Sequence, residues 1–426
     1  MLKEINNLER FIKEREALLE QHTDPELYET LNNIKKSIRE EKDKALITYT
    51  KKFDHIDLDI TNIKVTPNEI QNAYNHVSKN YLSSLKNAIE NIKNFHHAQL
   101  PKNWQSSPSK DLSYALRYLP LNSVALYVPG GRNPYPSSVI MNAIPAIIAG
   151  VKHPIILSPP NQEKSLAPSI LVAADLCGIT DIYKIGGAQA IFAAAYGTES
   201  IPQVDKITGP GNRYVTSAKQ MVYGKVDIDK PAGPSEVLVY IDTNKYAHFA
   251  AAELLAQMEH DPLASAILIT TNEKIATTCR QEFKKQLKTC KRHPIITNAL
   301  NQSAYIIEEN SNKAIDIMNK IASEHVVLIS EHAQKLSKKL TNGASLFLGP
   351  YSPVALGDYF SGPNHVLPTN SCARFASPLG VLDFMKYRYE LSANKNYIKE
   401  NGQDIITLAT QEKLDAHANS VKIRST

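Results

Sequence analysis

Apolar residues recur every three or four positions through the first hundred residues, in LERFIKEREALLEQ (8–21), ELYETLNNIKKSIREEKDKALITYTKKF (26–53) and LSSLKNAIENIKNFHHAQL (82–100), with charges between them. That period predicts amphipathic helices up to about residue 105. Their composition suits scaffold or dimer contact rather than chemistry, and the adjacent His96 and His97 point to different helix faces. Near residue 121 the pattern changes: VALYVPGG, SVIMNAIPAIIAGV, PIILSPP, APSILVAADLCG, DIYKIGG, AQAIFAAAYG, DKITGPG and NRYVTSAKQMVYG alternate short β-branched runs with longer helical ones. This βαβα order predicts a parallel sheet with helices on both faces. A second alternation begins at EVLVYID (236–242) and runs through AHFAAAELLAQMEH, SAILITT, AIDIMNKIASE, HVVLIS and ASLFLGP. Two α/β units are therefore expected, one inserted into the other. From about residue 380 the expectation returns to helix, over KYRYELSANKNYIKEN (386–401) and TQEKLDAHANSVKIR (410–424).

Composition narrows the class. A chain of 426 residues, 42% hydrophobic and 21% charged, is ordinary for a globular protein of several domains. No stretch approaches the roughly 18 unbroken apolar residues of a membrane-spanning helix, and the start MLKEINNLERFIKERE is too charged for a secretory leader. The expected location is cytoplasmic, with no membrane partner. The net charge of +5 is spread without a long basic block, which disfavours nucleic acid. Four cysteines, Cys177, Cys279, Cys290 and Cys372, form no CxxC pair. A thiolate zinc site is thereby disfavoured, and any metal must draw on histidine, carboxylate and amide side chains.

Three glycine-rich loops each follow an expected strand: Tyr127-Val128-Pro129-Gly130-Gly131, Ile185-Gly186-Gly187-Ala188-Gln189 and Gly209-Pro210-Gly211-Asn212. Ligands bind at the carboxyl ends of parallel strands, where helix N-termini offer N–H groups to phosphate. None of the three spells GxGxxG, and glycine also serves any tight turn, so one loop alone would be structural; three at one sheet edge favour a dinucleotide. In the second unit Gln257 and His260 lie three residues apart on one face at a helix end, a spacing that suits two metal ligands but equally a surface histidine. The junction Ser323-Glu324-His325 sets a carboxylate beside an imidazole where helix gives way to strand, which is either an acid/base pair or a solvated helix end. Residues 349–369, GPYSPVALGDYFSGPNHVLPT, fix much backbone around Asp358, Asn364 and His365 and suggest a shaped site. In the last helix Leu414, His417 and Val421 share a face, so His417 alone reads as a packing residue, and Glu412 in the first turn as a dipole partner.

Together these segments resemble the histidinol dehydrogenase family. The resemblance spans nearly the whole chain past residue 110 and rests on YVPGG, GGAQAIFAAAYGTESIPQVDKITGPGN, AGPSEVLV, ELLAQMEHDP, SEH, GDYFSGPNHVLPT and QEKLDAHANSV. It implies an α/β fold of two incomplete Rossmann-like domains with parallel sheets and small helical extensions. The implied division is an N-terminal helical arm (1–25), a discontinuous α/β catalytic domain (26–126 and 236–379), an inserted NAD-binding α/β domain (127–235) and a C-terminal helical dimerisation unit (380–426). By the same resemblance Gln257, His260, Asp358 and His417 match zinc ligands, one zinc per subunit, and Glu324 and His325 match the catalytic pair. Ser235 and Glu412, with Gln257, His260, His325, Asp358 and His417, match substrate-binding positions, while Tyr127, Gln189 and Asn212 match contacts to NAD.

The implied activity is the zinc-dependent, four-electron oxidation of L-histidinol through its aldehyde to L-histidine with two NAD, in an intertwined homodimer whose His417 and Glu412 serve the neighbouring site. The chain departs from the family pattern at Ser371, where glycine is common, and at Arg132-Asn133. A related dehydrogenase of another small alcohol is disfavoured by Ser235, Glu324, His325 and Glu412. A zinc hydrolase would leave the glycine loops unexplained, and a mere binding protein the Glu324–His325 pair.

Overall fold

The structure is a computed structural model that describes residues 2–5, 7–20, 24–130, 134–230 and 233–425, with the side chains of 15–20 outside that description. Gly131, Arg132 and Asn133 therefore lie outside the described residues. The strands run β1 (Lys3–Glu4), β2 (Trp104–Ser109), β3 (Leu112–Pro120), β4 (Ser123–Tyr127), β5 (His153–Leu157), β6 (Ile182–Tyr183), β7 (Lys206–Thr208), β8 (Asp227–Ile228), β9 (Glu236–Ile241), β10 (Ser265–Thr270), β11 (Ala304–Ile307), β12 (His325–Ile329), β13 (Ser345–Leu348) and β14 (Met385–Ala393).

Two sheets are wholly parallel: β6-β5-β4-β7-β8 and β1-β11-β10-β9-β12-β13. Apart from the edge strand β1, both have the same order, third-second-first-fourth-fifth in chain sequence, the half-Rossmann winding that opens a crevice where the order reverses. The α/β expectation is thus met. Each residue of β9 and of β10 is buried, as continuous apolar runs must be when helices cover both sheet faces. In the first sheet Pro136–Ala149 and Pro168–Leu176 cover one face, and Gly187–Tyr196 and Arg213–Val222 the other. In the second, Ala247–Met258 and Glu273–Leu287 cover one face and Ser311–Ile321 the other.

The N-terminal and C-terminal segments differ from expectation. Residues 26–97, expected to belong with 236–379, pack their apolar faces on the first sheet's layers: Leu27, Leu31, Ile34 and Ile38 join the core of Gly187–Tyr196, and Leu85, Ile89 and Ile92 that of Pro136–Ala149. Helical periodicity says that a face must be buried but not against which partner. The arm expected over 1–25 opens with a strand, not a helix, because Lys3 and Glu4 pair with Ala304 and Tyr305 at the sheet edge. Residues 386–393, expected to be helical, lie in β14, paired antiparallel along its length with β3, which in turn pairs with β2. The run Tyr387, Tyr389, Leu391 has period two, and β-favouring tyrosines on alternate positions outweigh the charges between them.

Candidate active site

The second sheet's crevice lies between β9 and β12, and the residues that flank it sit at the amino ends of those strands, not at the carboxyl ends where ligands of such sheets are usually found. Ser235 immediately precedes β9, and His325 opens β12, in register with Val237. The first sheet keeps the usual rule: Tyr127 ends β4, and Gly209 follows β7 on the other side of its own crevice. Only residues 229–235 join the carboxyl end of β8 to the amino end of β9. Seven residues span at most about 25 Å, so the short connection holds the glycine-loop edge of one sheet near the edge of the other that bears Glu324 and His325.

The main chain of Glu236 clamps the pair. The backbone N–H of Glu236 donates to Glu324 Oε2 (2.8 Å), and its carbonyl lies 3.1 Å from His325 Nδ1. A carbonyl can only accept, so Nδ1 carries a proton and, in the neutral ring, Nε2 is the free base. Nε2 is buried without a hydrogen bond and stands 3.6 Å from Asp358 Oδ1. Burial pushes the Glu324 carboxyl up to about 7. Burial alone would lower the His325 imidazole, but the Glu324 and Asp358 carboxylates outweigh it and push the ring up to about 9. Asp358, whose burial works to raise it, is held below the usual carboxylate range by His325, His365 and His260.

The helix Ala247–Met258 runs back from the carboxyl to the amino edge and delivers Gln257, 2% exposed, in its last turn. His260 follows just past the helix end, its N–H donating to the Gln257 carbonyl (3.3 Å). Desolvation by the surrounding protein lowers the His260 imidazole, which favours its neutral form. The short helix Val354–Tyr359 brings Asp358 to the same edge. Its first N–H, from Val354, donates to Glu253 Oε2 (2.9 Å), so a carboxylate one turn before Gln257 pins the Asp358 helix to the Gln257 helix. His365 Nδ1 lies 3.0 Å from the Asp358 carbonyl, and Asn364 Nδ2 donates to Met141 O (2.6 Å), anchoring that loop on the first unit. His260 also lines a cleft of about 480 Å3 with Tyr81, Leu85, Tyr135, Arg292 and Tyr359, between the two units.

Not every expected residue joins this cluster. Glu412 and His417 are exposed at the C-terminal helices Lys395–Gln411 and Asp415–Ser425, and neither makes a hydrogen bond or ion pair with Gln257, His260, Glu324, His325 or Asp358. His417 is not the packing residue that its helical face suggested. Among the described residues no group of three or more His, Cys, Asp or Glu is gathered tightly enough to hold a metal ion. An amide oxygen, an imidazole and a carboxylate that stays ionised are donors of a kind that could contribute to a zinc site.

At the first sheet Tyr127 and Gln189 are buried, and the Tyr127 hydroxyl accepts from the Gly187 N–H (3.1 Å). Asn212 caps the helix Arg213–Val222, its Oδ1 accepting from the N–H groups of Tyr214 (3.0 Å) and Val215 (3.1 Å), which leaves its Nδ2 group for a ligand. Gly209, at φ +113°, packs so closely that a Cβ there would sit 2.0 Å from the Tyr127 carbonyl oxygen. At the Ser371 departure the backbone is left-handed (φ 59°), a conformation that explains glycine's frequency there; Ser371 offsets part of the strain by donating Oγ–H to Ile321 O (2.8 Å). Sequence reasoning missed Glu236 and Glu253; only Glu253 had a signal, its i−4 spacing from Gln257.

Residues 19–425 match the sequence model of the histidinol dehydrogenase family. The chain belongs to the histidinol dehydrogenase family. Among its relatives, a histidinol dehydrogenase of Caldanaerobacter subterraneus subsp. tengcongensis is 47% identical over 94% of this chain and 93% of its own length. One of Clostridium acetobutylicum is 45% identical over 94% and 92%. The crystal structure of histidinol dehydrogenase from Elizabethkingia anophelis superposes with a TM-score of 0.90 at 40% identity, covering 93% of this chain and 92% of that one. Membership carries the oxidoreductase activity for which the family is named, and with it the expected fold. No helix of the described residues is long and apolar enough to cross a membrane.

Proposed function

We propose that the chain oxidises L-histidinol to L-histidine, the end of histidine biosynthesis, with two NAD and one zinc per subunit. The observation that carries this is the Glu324–His325 pair, fixed by the main chain of Glu236 and facing Asp358, at a sheet edge opposite three glycine loops. Gln257, His260 and Asp358 would hold zinc, with His417 arriving from a second copy of the chain. When bound, zinc would fix substrate nitrogen and oxygen atoms, and NAD would accept the hydride of each oxidation.

The chain's own residues supply the proton chemistry. His325 Nε2, kept basic by the Nδ1 contact to Glu236 O, takes the hydroxyl proton of the alcohol. The imidazole must be neutral to do so, and activity falls as pH drops. Glu324, buried and close to half-ionised near neutrality, then takes a proton from the water that adds to the aldehyde. Ser235, at the start of β9, and Glu412 would orient the substrate, and Tyr127, Gln189 and Asn212 the dinucleotide. Burial of the pair keeps bulk water off the aldehyde between steps.

A homodimer completes the site. Tyr389 (75% exposed), Leu391 (74%), Leu408 (69%) and Ile423 (61%) are large apolar side chains exposed on the C-terminal segment that bears Glu412 and His417, which supports contact with another subunit there. The proposed units are 1–25, 26–126 with 236–379, 127–235 and 380–426, although the apolar faces of 26–97 pack on the first sheet. The test is spectrophotometric: zinc-loaded protein should form two NADH for each L-histidinol consumed. One NADH per substrate would indicate a simple alcohol dehydrogenase, and none would refute the assignment.

A further inference from the structure

Asp54 is the last residue of the helix Asp43–Asp54, followed by His55 in left-handed conformation (φ 58°). A carboxylate at a helix C-terminus meets the negative end of the dipole. Asp54 is nonetheless half-buried, and its carboxyl is pushed up to about 6 by that burial, with His55 working the other way. Among the described residues it has no ion pair, and its single hydrogen bond is a long one, accepted from Gln189 Nε2 at 3.4 Å. It stands beside Gln189 and Tyr127, at the loop edge of the first sheet. A half-buried carboxylate so poorly satisfied lacks donors, and the place where it lacks them is the dinucleotide site.

We propose that Asp54 is a specificity-determining residue that accepts hydrogen bonds from the vicinal hydroxyls of a ribose of NAD and excludes the 2′-phosphate of NADP. The chemistry is that of the acidic residue in dinucleotide-binding folds, which a diol satisfies and a phosphate repels. Here the carboxylate comes from a helix of the N-terminal segment rather than from a strand end of the sheet itself, so the segment 26–97 contributes to cofactor choice as well as to packing. This inference rests on the reading of Tyr127, Gln189 and Asn212 as the dinucleotide site.

The test is equilibrium binding of NAD and NADP to the purified full-length protein, followed by calorimetry without turnover. Wild type should prefer NAD, and Asp54→Asn should weaken NAD roughly 10- to 100-fold, the loss of hydrogen bonds to a charged acceptor, while NADP binding holds or improves. Unchanged NAD affinity would overturn the proposal. So would an equal loss for both dinucleotides with a lowered melting temperature, which is the signature of a merely structural carboxylate. Wild type supplies a check that needs no variant: 2′-deoxy-NAD should bind more weakly than NAD, and equal binding refutes the ribose contact. Gln189→Ala and Asn212→Ala run alongside. If they too leave NAD unaffected, the site itself is misplaced; if they weaken NAD and Asp54→Asn does not, only the role of Asp54 fails.

Discussion

Glu236 donates its backbone N–H to Glu324 Oε2 over 2.8 Å and receives His325 Nδ1 at its carbonyl, so the main chain of a single residue at the start of β9 orients both Glu324 and His325 at the start of β12. Because the clamp is main chain, side-chain substitution of the pair should leave the strands in register. His325→Asn is expected to lower the rate of alcohol oxidation by about 10²- to 10⁴-fold, the usual worth of a general base, with zinc content unchanged. Glu324→Gln should slow aldehyde oxidation more than alcohol oxidation. Single-turnover measurements with L-histidinol and with its aldehyde separate the two steps, and equal losses in both would assign Glu324 to structure.

The proposed division of zinc ligands between two chains predicts subunit complementation. His260→Ala and His417→Ala should each lose zinc and activity together while the far-UV spectrum holds. Mixed after dissociation, the two variants should regain roughly a quarter of wild-type activity, because half of the dimers are hybrids and each hybrid has one intact site. No recovery in a sample shown to contain hybrids would place His417 outside the site.

Lys219 and Asp229 form an ion pair whose side chains are 3% and 2% exposed, and both hold Gly209: its N–H donates to Asp229 Oδ2 (2.7 Å) and its carbonyl accepts from Lys219 Nζ (2.9 Å). Removing one partner strands a buried charge, so Asp229→Asn should cost about 3–5 kcal/mol in urea unfolding. Lys219→Met with Asp229→Leu should cost less than either single change. In the folded fraction the single variants should raise the KM for NAD more than that for histidinol, since Gly209 opens the Asn212 loop.

Acid stability should depend on Glu69. Burial works to raise its carboxyl, but the Thr66 N–H and Lys184, whose side chain is 5% exposed, hold it below the usual range. A depressed carboxylate stabilises the fold above its unfolded pKa, about 4.3, and that contribution fades as pH falls through the lower folded value. Glu69→Gln should therefore cost about 1.5–3 kcal/mol from pH 5 upward, with the gap to wild type closing below about pH 4. A gap that persists unchanged at pH 3 would show that packing, not charge, is what Glu69 supplies.

The α/β class and the two alternating units were legible along the chain, because hydrophobic period is a local property, while Gln257, His260, Glu324, His325 and Asp358 were assigned site roles only through the family resemblance. Helical periodicity misjudged Met385–Ala393, since β14 exists through pairing with β3 more than 250 residues away, and Trp104–Pro120, the hairpin of β2 and β3 that receives it, was left unassigned. Tertiary structure alone set Glu324 and His325 at the amino end of β12 beside β9, clamped them on the main chain of Glu236, packed 26–97 on the first sheet, and kept Glu412 and His417 apart from them in one chain. Each of those depends on which backbone groups and faces meet after the crossovers close. A backbone N–H is the same in every residue, so no side-chain pattern can announce the partner it finds.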